Sequence, residues 1–298
     1  MMGEGEGENG PHVARIRAYP LKGAAGFDLS AVTLDAFGIP GDRCWMLVRP
    51  DGLFISQRTH PRLALIHLSP LPSDGPATEG KEARSGGGDP PFLARAPGME
   101  PLEIIPVPEG GPRMDVRIHQ DTAEGVVVAE AKEWFSTYLR QECHLVYSPP
   151  ALRRRVDPAF APGHRTGFSD AYPLLLTTEE SLGELNRRLS RPSSMLRFRP
   201  NLVLRGGRAW EEDRWRTLEI GGVRLDLVKP CARCSVTTVD PGTALRGKEP
   251  LKTLSGFRGW EGKAYFGQNA VFSGRGSFRV GENVRIVEKG DARPPLGG

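Results

Sequence analysis

Leu218-Glu219-Ile220 and Val223-Arg224-Leu225 stand on either side of Gly221-Gly222. Both glycines can take positive φ, so the segment predicts a two-residue β-hairpin. Short apolar runs of strand character recur along the chain, at Trp45 to Val48, Leu63 to Leu68, Val126 to Ala129, Asn201 to Leu204 and Val223 to Val228. Phe278-Arg279-Val280 and Val284-Arg285-Ile286-Val287 flank Gly281-Glu282-Asn283 and read as a second hairpin. Many short strands with tight turns favour barrels or sandwiches over a doubly wound sheet. Two segments are helical instead. Glu130 to Gln141 places Ala131, Trp134, Phe135, Tyr138 and Leu139 at helical spacing. Thr177 to Leu189 opens with Thr177-Thr178-Glu179-Glu180, a capping-box pattern in which a threonine oxygen takes the Glu180 amide. The expected fold class is mainly β with a few helices, that is α+β.

The chain has 298 residues, enough for one large or two ordinary domains. Residues 1–12 read as a disordered tail, 13–145 as a first domain, 146–289 as a second and 290–298 as a loose tail. A Gly/Pro-rich stretch, about residues 71–100, reads as a loop insertion within the first domain. No apolar run approaches the ~20 residues of a membrane helix. The Gly/Glu-rich start has no apolar core for a signal peptide, so the expected location is cytoplasmic, with no membrane partner. Forty basic and 36 acidic residues nearly balance. That balance gives no sign of a nucleic-acid polymer as partner. The cluster Arg153-Arg154-Arg155 reads as a solvated loop, with a local pocket for a small anion as the alternative.

Four cysteines, Cys44, Cys143, Cys231 and Cys234, are too few for a disulfide scaffold. Cys231-x-x-Cys234 is the sharpest local feature. A zinc knuckle would want a second pair or a His pair, and neither is present. A thioredoxin-like pair would open a helix, whereas Ser235 to Pro241 looks like strand then turn. Two inert, buried cysteines are a third reading. Arg233 and Lys229 stand close in sequence; positive charge favours the thiolate, which is the metal-ligating form.

Lys229-Pro230-Cys231-Ala232-Arg233-Cys234-Ser235-Val236-Thr237-Thr238-Val239-Asp240-Pro241 resembles the signature of the MOSC domain, the C-terminal domain of molybdenum cofactor sulfurase. The likeness continues through Lys248 to Leu254, Phe266-Gly267-Gln268-Asn269 and Arg279 to Val284. Tyr19-Pro20-Leu21-Lys22-Gly23, Gly41-Asp42-Arg43-Cys44-Trp45 and Gln57-Arg58 resemble the β-barrel domain that precedes MOSC. Phe168-Ser169-Asp170-Ala171-Tyr172-Pro173 and Phe198-Arg199-Pro200-Asn201-Leu202-Val203 complete it. The resemblance implies an N-terminal β-barrel-like domain followed by a MOSC β-barrel domain. It points to bacterial proteins that protect against 6-hydroxylaminopurine and to mitochondrial amidoxime reducing components.

The resemblance implies molybdenum cofactor (Mo-molybdopterin) as the bound group, with Cys234 as the protein ligand to the metal. It places contacts to the pterin and its phosphate on Lys22, Gly23, Arg43, Asp170, Arg199, Asn201 and Arg233. Asp170 is a candidate for proton handling, as is Asp240; a turn cap is the other reading of Asp170. Ala171-Tyr172 stands where mitochondrial relatives carry Thr-Ser, which removes two hydroxyls. The implied activity is detoxifying reduction of N-hydroxylated compounds (hydroxylamines, amidoximes, N-hydroxylated bases) from N–OH to N–H. The chain shows no cysteine after Cys234 and no Gly-x-Gly-x-x-Gly turn between a strand and a helix, as a flavin or nicotinamide would need. Electrons are therefore expected from a separate partner, a flavoprotein, ferredoxin or haem protein. The alternative from another class is a cofactor-binding or sulfur-carrier protein without reductase activity.

Overall fold

A computed structural model describes residues 10–71 and 89–294, and structural statements below concern these. The hairpin at Gly221-Gly222 forms: Trp215–Ile220 pairs antiparallel with Val223–Arg233, Ile220 opposite Val223. The two glycines have φ of 55° and 76°. Val223–Arg233 then pairs with Lys263–Ser273, and these two long strands form the spine of a nine-stranded sheet. The sheet runs from Phe27–Leu29 through His12–Ala18, Leu202–Arg205, Leu174–Thr178, Lys263–Ser273, Val223–Arg233 and Trp215–Ile220 to Arg285–Lys289, with Gly259–Trp260 added beside Lys263–Ser273. Three helices, α1 (Lys132–Leu139), α2 (Glu179–Arg187) and α3 (Leu251–Phe257), are short. The fold is mainly β, as the strand pattern predicts. Among the described residues no helix is long and apolar enough to cross a membrane.

A cut near residue 145 does not separate the sheets. His12–Ala18 pairs with Leu202–Arg205, His12 opposite Arg205, so the start of the chain lies inside the sheet built mostly from residues 174–289. Residues 45–147 make a four-stranded sheet (Trp45–Val48, His144–Tyr147, Asp121–Val128, Arg113–Ile118) and a three-stranded one (His67–Pro70, Phe92–Arg95, Leu102–Ile104). These close on their own core, where Trp45 meets Phe92 edge-on at 4.8 Å and Phe135 and Tyr138 of α1 are buried. Within the stretch read as a loop insertion, 72–88 lie outside the described residues, while Phe92–Arg95 is a strand because Phe92 and Ala94 fill this core. The tails at 1–9 and 295–298 also lie outside the described residues.

Three local expectations are corrected. Ser277–Arg279 pairs with Ala31–Thr33, and Arg285–Lys289 with Trp215–Ile220, so no hairpin forms across Gly281-Glu282-Asn283. Burial of Phe278 in the same core cluster as Val32 decides this, and the Gly281 amide donates to the Val13 carbonyl at 2.7 Å. The cap of α2 sits one residue later than read: Thr178 Oγ1 accepts from the Ser181 amide at 3.2 Å, while Thr177 Oγ1 is turned to Met195 Sδ at 3.3 Å. Glu180 does not reach back; its Oε1 accepts from the Gly206 amide. The arginine run is no solvated loop. Arg154–Arg155 is a strand paired with Arg165–Thr166, and Arg153 before it is buried in an ion pair with Asp89.

α2 is tied to the large sheet through Glu212, which is wholly buried. Glu212 Oε2 accepts from Ser181 Oγ at 2.9 Å, while Oε1 has no partner. Burial, with the Asp213 carboxylate beside it, pushes the Glu212 pKa up to about 7 from 4.5. An acid with a raised folded pKa gives stability that is full below its ordinary pKa and is lost as pH rises through the folded value. Wild type is therefore expected to lose stability, on the order of 3 kcal/mol, between about pH 4.5 and about pH 7. Glu212→Gln should flatten that slope in urea unfolding; parallel profiles for the two proteins would refute the assignment.

Candidate functional site

Between the large sheet and the residue 45–147 core lies a cleft of about 390 Å³. Backbone pairing stitches its floor together. The Arg17 amide donates to the Asn201 carbonyl at 2.8 Å, the Arg43 amide to the Tyr19 carbonyl at 2.9 Å, and the Lys22 amide to the Trp45 carbonyl at 2.8 Å. The residues that the resemblance marks for the metal, the pterin and its phosphate line this cleft: Lys22, Gly23, Arg43, Asp170, Arg199, Asn201, Arg233 and Cys234. Those positions span more than 200 residues of sequence, and the crossing of the first strand into the large sheet brings them together.

The four cations are not equivalent. Lys22 is buried, donates to the Phe168 carbonyl at 2.8 Å and pairs with Asp170. Burial pushes the Lys22 pKa down and Asp170 pushes it back up. Arg43 Nη1 meets Asp42 Oδ2 at 2.6 Å and Asn201 Oδ1 at 2.7 Å, so its charge is neutralised within the protein. Arg199 and Arg233 make no ion pair among the described residues. Arg199 donates to the Ala24 carbonyl and lies over the Tyr19 ring, 4.4 Å from its centroid. Burial, with the nearby Arg43 charge adding to it, pushes the Arg199 pKa down to about 10, so it stays charged at neutral pH. Arg43 covers the same ring at 4.6 Å. Both arginines hold left-handed backbone, φ 49° and 55°, a conformation that costs a β-carbon-bearing residue about 1–2 kcal/mol.

Asn201 is spent on positioning. Its Oδ1 accepts from Arg43 and from the Leu175 amide, and its Nδ2 donates to the Arg17 carbonyl at 3.2 Å. Asp170 stands at the rim with 69 % of its side chain exposed, between Lys22 and His119 Nε2 at 3.6 Å. The Lys22 ammonium, with His119 beside it, holds the Asp170 carboxyl well below the usual carboxylate range. It takes no backbone amide and so does not cap a turn. Asp240 does: it accepts from the Gly242 and Thr243 amides, pairs with Arg197 and does not line the cleft.

The two sulfurs of the CxxC also differ. Both are half-buried, so neither is an inert core thiol. Arg233 Nη1 donates to Cys231 Sγ at 2.8 Å and Nη2 to the Phe198 carbonyl at 2.6 Å, so the adjacent guanidinium serves Cys231 and not Cys234. Burial pushes the Cys231 thiol up, and Arg233 opposes that. Cys234 is the N-cap of a 3-10 turn, Ser235–Thr238, where the sequence reads as a strand; Thr237 Oγ1 takes the Cys234 carbonyl at 2.9 Å and curls the chain there. Cys44 and Cys143 are buried in the other core, and burial pushes the Cys44 thiol well up. Among the described residues no three His, Cys, Asp or Glu side chains cluster as a metal site.

Sequence reasoning missed three contributors. Tyr19 lies in the Tyr19 to Gly23 motif, which was the available signal; the structure puts its ring beneath two arginines. Ser169 lies in the Phe168 to Pro173 motif; its buried Oγ has no partner. His119 sits in the hairpin between Arg113–Ile118 and Asp121–Val128, and nothing in its own segment links it to Asp170.

The MOSC domain family matches residues 163–285, and the MOSC N-terminal beta barrel domain family matches residues 10–142. The chain is 33 % identical to mitochondrial amidoxime-reducing component 1 of Mus musculus over 92 % of this chain and 82 % of that protein. The Homo sapiens protein of the same name is matched at the same identity and coverage. Molybdenum cofactor sulfurase of Homo sapiens is 30 % identical over 88 % of this chain but only 30 % of that protein. Two consecutive domain matches and relatives aligned over most of their length agree with the order of the motifs around the cleft: the chain belongs to the family of MOSC-domain proteins that carry the MOSC N-terminal β-barrel domain.

Proposed function

We propose that this protein is a molybdenum-cofactor-dependent reductase of N-hydroxylated compounds. The observation that carries the reading is a half-buried thiol, Cys234, on the wall of a cleft that holds two unneutralised arginines. With no cluster of three protein ligands among the described residues, a metal at Cys234 must arrive with most of its own coordination. An anionic pterin dithiolene carrying a phosphate fits that requirement. It also fits the surplus charge of Arg199 and Arg233 and the unpartnered Ser169 Oγ and Arg233 Nε. When bound, the cofactor supplies a metal centre able to exchange two electrons with an N–O bond.

The chain's own residues bind and orient. Cys234 would hold the metal. Arg199 would take the phosphate, with Arg43 locked beside it by Asp42 and Asn201. Lys22 and the Gly23 backbone close the same end of the cleft. Asp170, an anion at neutral pH, orients Lys22 instead of donating a proton. The relatives' names, amidoxime-reducing components, support the substrate class. The electrons come from a separate redox protein.

Protein loaded with molybdenum cofactor and reduced chemically is expected to convert benzamidoxime to benzamidine and 6-hydroxylaminopurine to the aminopurine. Bound molybdenum with no turnover of either compound would sink the proposal. A persulfide on Cys234, with no molybdenum retained, would favour the sulfur-carrier reading.

A further inference from the structure

Each N–OH reduced to N–H and water takes in two electrons and two protons, so a reductant must reach the cleft. The inference rests on that reading. We propose that the rim of the cleft beside Cys234 is the docking surface for an acidic, electron-carrying protein, with Trp260 as its apolar anchor.

One side of the rim is a hairpin tip, Trp260-Glu261-Gly262-Lys263. Glu261 and Gly262 both have positive φ, 47° and 72°, which is the stiff turn geometry of a two-residue hairpin. Trp260, directly across from Lys263, is 38 % exposed and leans on Tyr265 with ring centroids 6.2 Å apart. Lys263 lines the cleft, and Tyr265 pairs with Ala232, so the tip is fixed beside the Cys231–Cys234 segment.

The other side is the loop that follows the Cys234 turn. Leu245 there is 71 % exposed. Arg246 Nη2 donates to the Gln57 carbonyl at 3.1 Å, which straps the loop to the opposite wall of the cleft. Lys248 and Lys252 follow at the start of α3, both exposed. With Lys229 and Arg58 on the cleft wall, the rim carries six cations, counting Lys263 and Arg246, none of them in an ion pair among the described residues. The acids among them are Glu261 at the tip, Asp157 on the wall and Glu249 beside Lys248, with Asp170 already paired to Lys22, so three face six.

A cationic rim steers an acidic partner and sets its orientation, and a stiffly held tryptophan is a typical anchor at the centre of such a contact. Electron carriers use small, transient interfaces of this kind. A membrane surface suits the observations less well, because Trp260 and Leu245 are separate exposed apolar residues set among cations.

The test uses holoprotein with two acidic probes, a plant-type [2Fe–2S] ferredoxin and a flavodoxin, and with reduced methyl viologen as a small cationic donor. Binding of at least one probe is expected to weaken at least about tenfold between about 50 mM and about 200 mM salt. Lys248→Glu/Lys252→Glu and Trp260→Ala should each lose at least about tenfold in binding and in probe-driven turnover. Viologen-driven turnover should stay within about twofold, since none of the three residues lines the cleft. No association of wild type with either probe, or unchanged binding in both variants, overturns the proposal. Sedimentation with phosphatidylserine vesicles that the variants lose, without probe binding, overturns it in favour of a membrane. Failure of wild type with viologen strikes the reductase reading instead, and the binding titration still decides the docking surface.

Discussion

Cys234→Ser is expected to retain no molybdenum through purification and to lose at least about 100-fold of N-reductive activity. Cys231→Ser is expected to keep its metal. The two sulfurs are three residues apart, so charge in the neighbourhood does not separate them; geometry does. Arg233 bridges Cys231 to the Phe198 carbonyl, which commits that sulfur to a hydrogen bond. The Cys234 side chain has no such partner among the described residues, and its carbonyl is held by Thr237. A serine hydroxyl is a harder and more weakly ionised ligand than a thiolate. Metal analysis of the two variants beside wild type decides the matter. Equal molybdenum and equal activity in Cys234→Ser, or loss confined to Cys231→Ser, would reverse the assignment.

Asp89→Ala is expected to cost about 3–5 kcal/mol of stability. The Asp89 carboxylate accepts from the Gly41 amide at 3.1 Å, from Cys44 Sγ at 3.3 Å and from Tyr147 Oη at 2.7 Å, and it pairs with Arg153. Both side chains of that pair are almost fully buried, 4 % and 1 % exposed. Removing the acid strands a guanidinium whose Nε and Nη1 already lack partners. Replacing both members, Asp89→Ala with Arg153→Leu, should recover much of the loss, since an apolar pair leaves no stranded charge. Urea unfolding of the single and double variants reads both effects. A single-variant loss under about 1 kcal/mol, the scale of an exposed pair, would show that the cluster carries no such weight. The site would feel the change as well, because Arg43 precedes Cys44 and its carbonyl holds the Phe168 amide at 2.7 Å.

Legibility in the sequence followed the range of the interactions. The Gly221-Gly222 hairpin and α1 and α2 were readable because turn chemistry and helical spacing are local. The Phe278 segment was misread because a distant strand, Ala31–Thr33, outbids the nearer one. The Arg153 to Arg155 run looked like solvent-facing charge because its partners, Asp89 and Asp121, lie more than 30 residues away. The site residues were found through motif resemblance, since no local rule joins Lys22 to Arg199. Their division of labour was invisible for the same reason. That Arg43 is neutralised and Arg199 is not depends on Asp42 and Asn201 meeting in space.

The placement of His12–Ala18 sets an order on folding. On a ribosome this strand emerges well before its partner strand, which ends at Arg205, about 190 residues later. Until then it has only the small Phe27–Leu29 edge to pair with. Residues 45–147 can collapse on their own core in the meantime, but the cleft between the two cores cannot exist before the late strands arrive. Such high contact order slows folding and leaves an unpaired apolar strand waiting. A cofactor of the proposed kind would find its cleft only after the second half of the chain has been made.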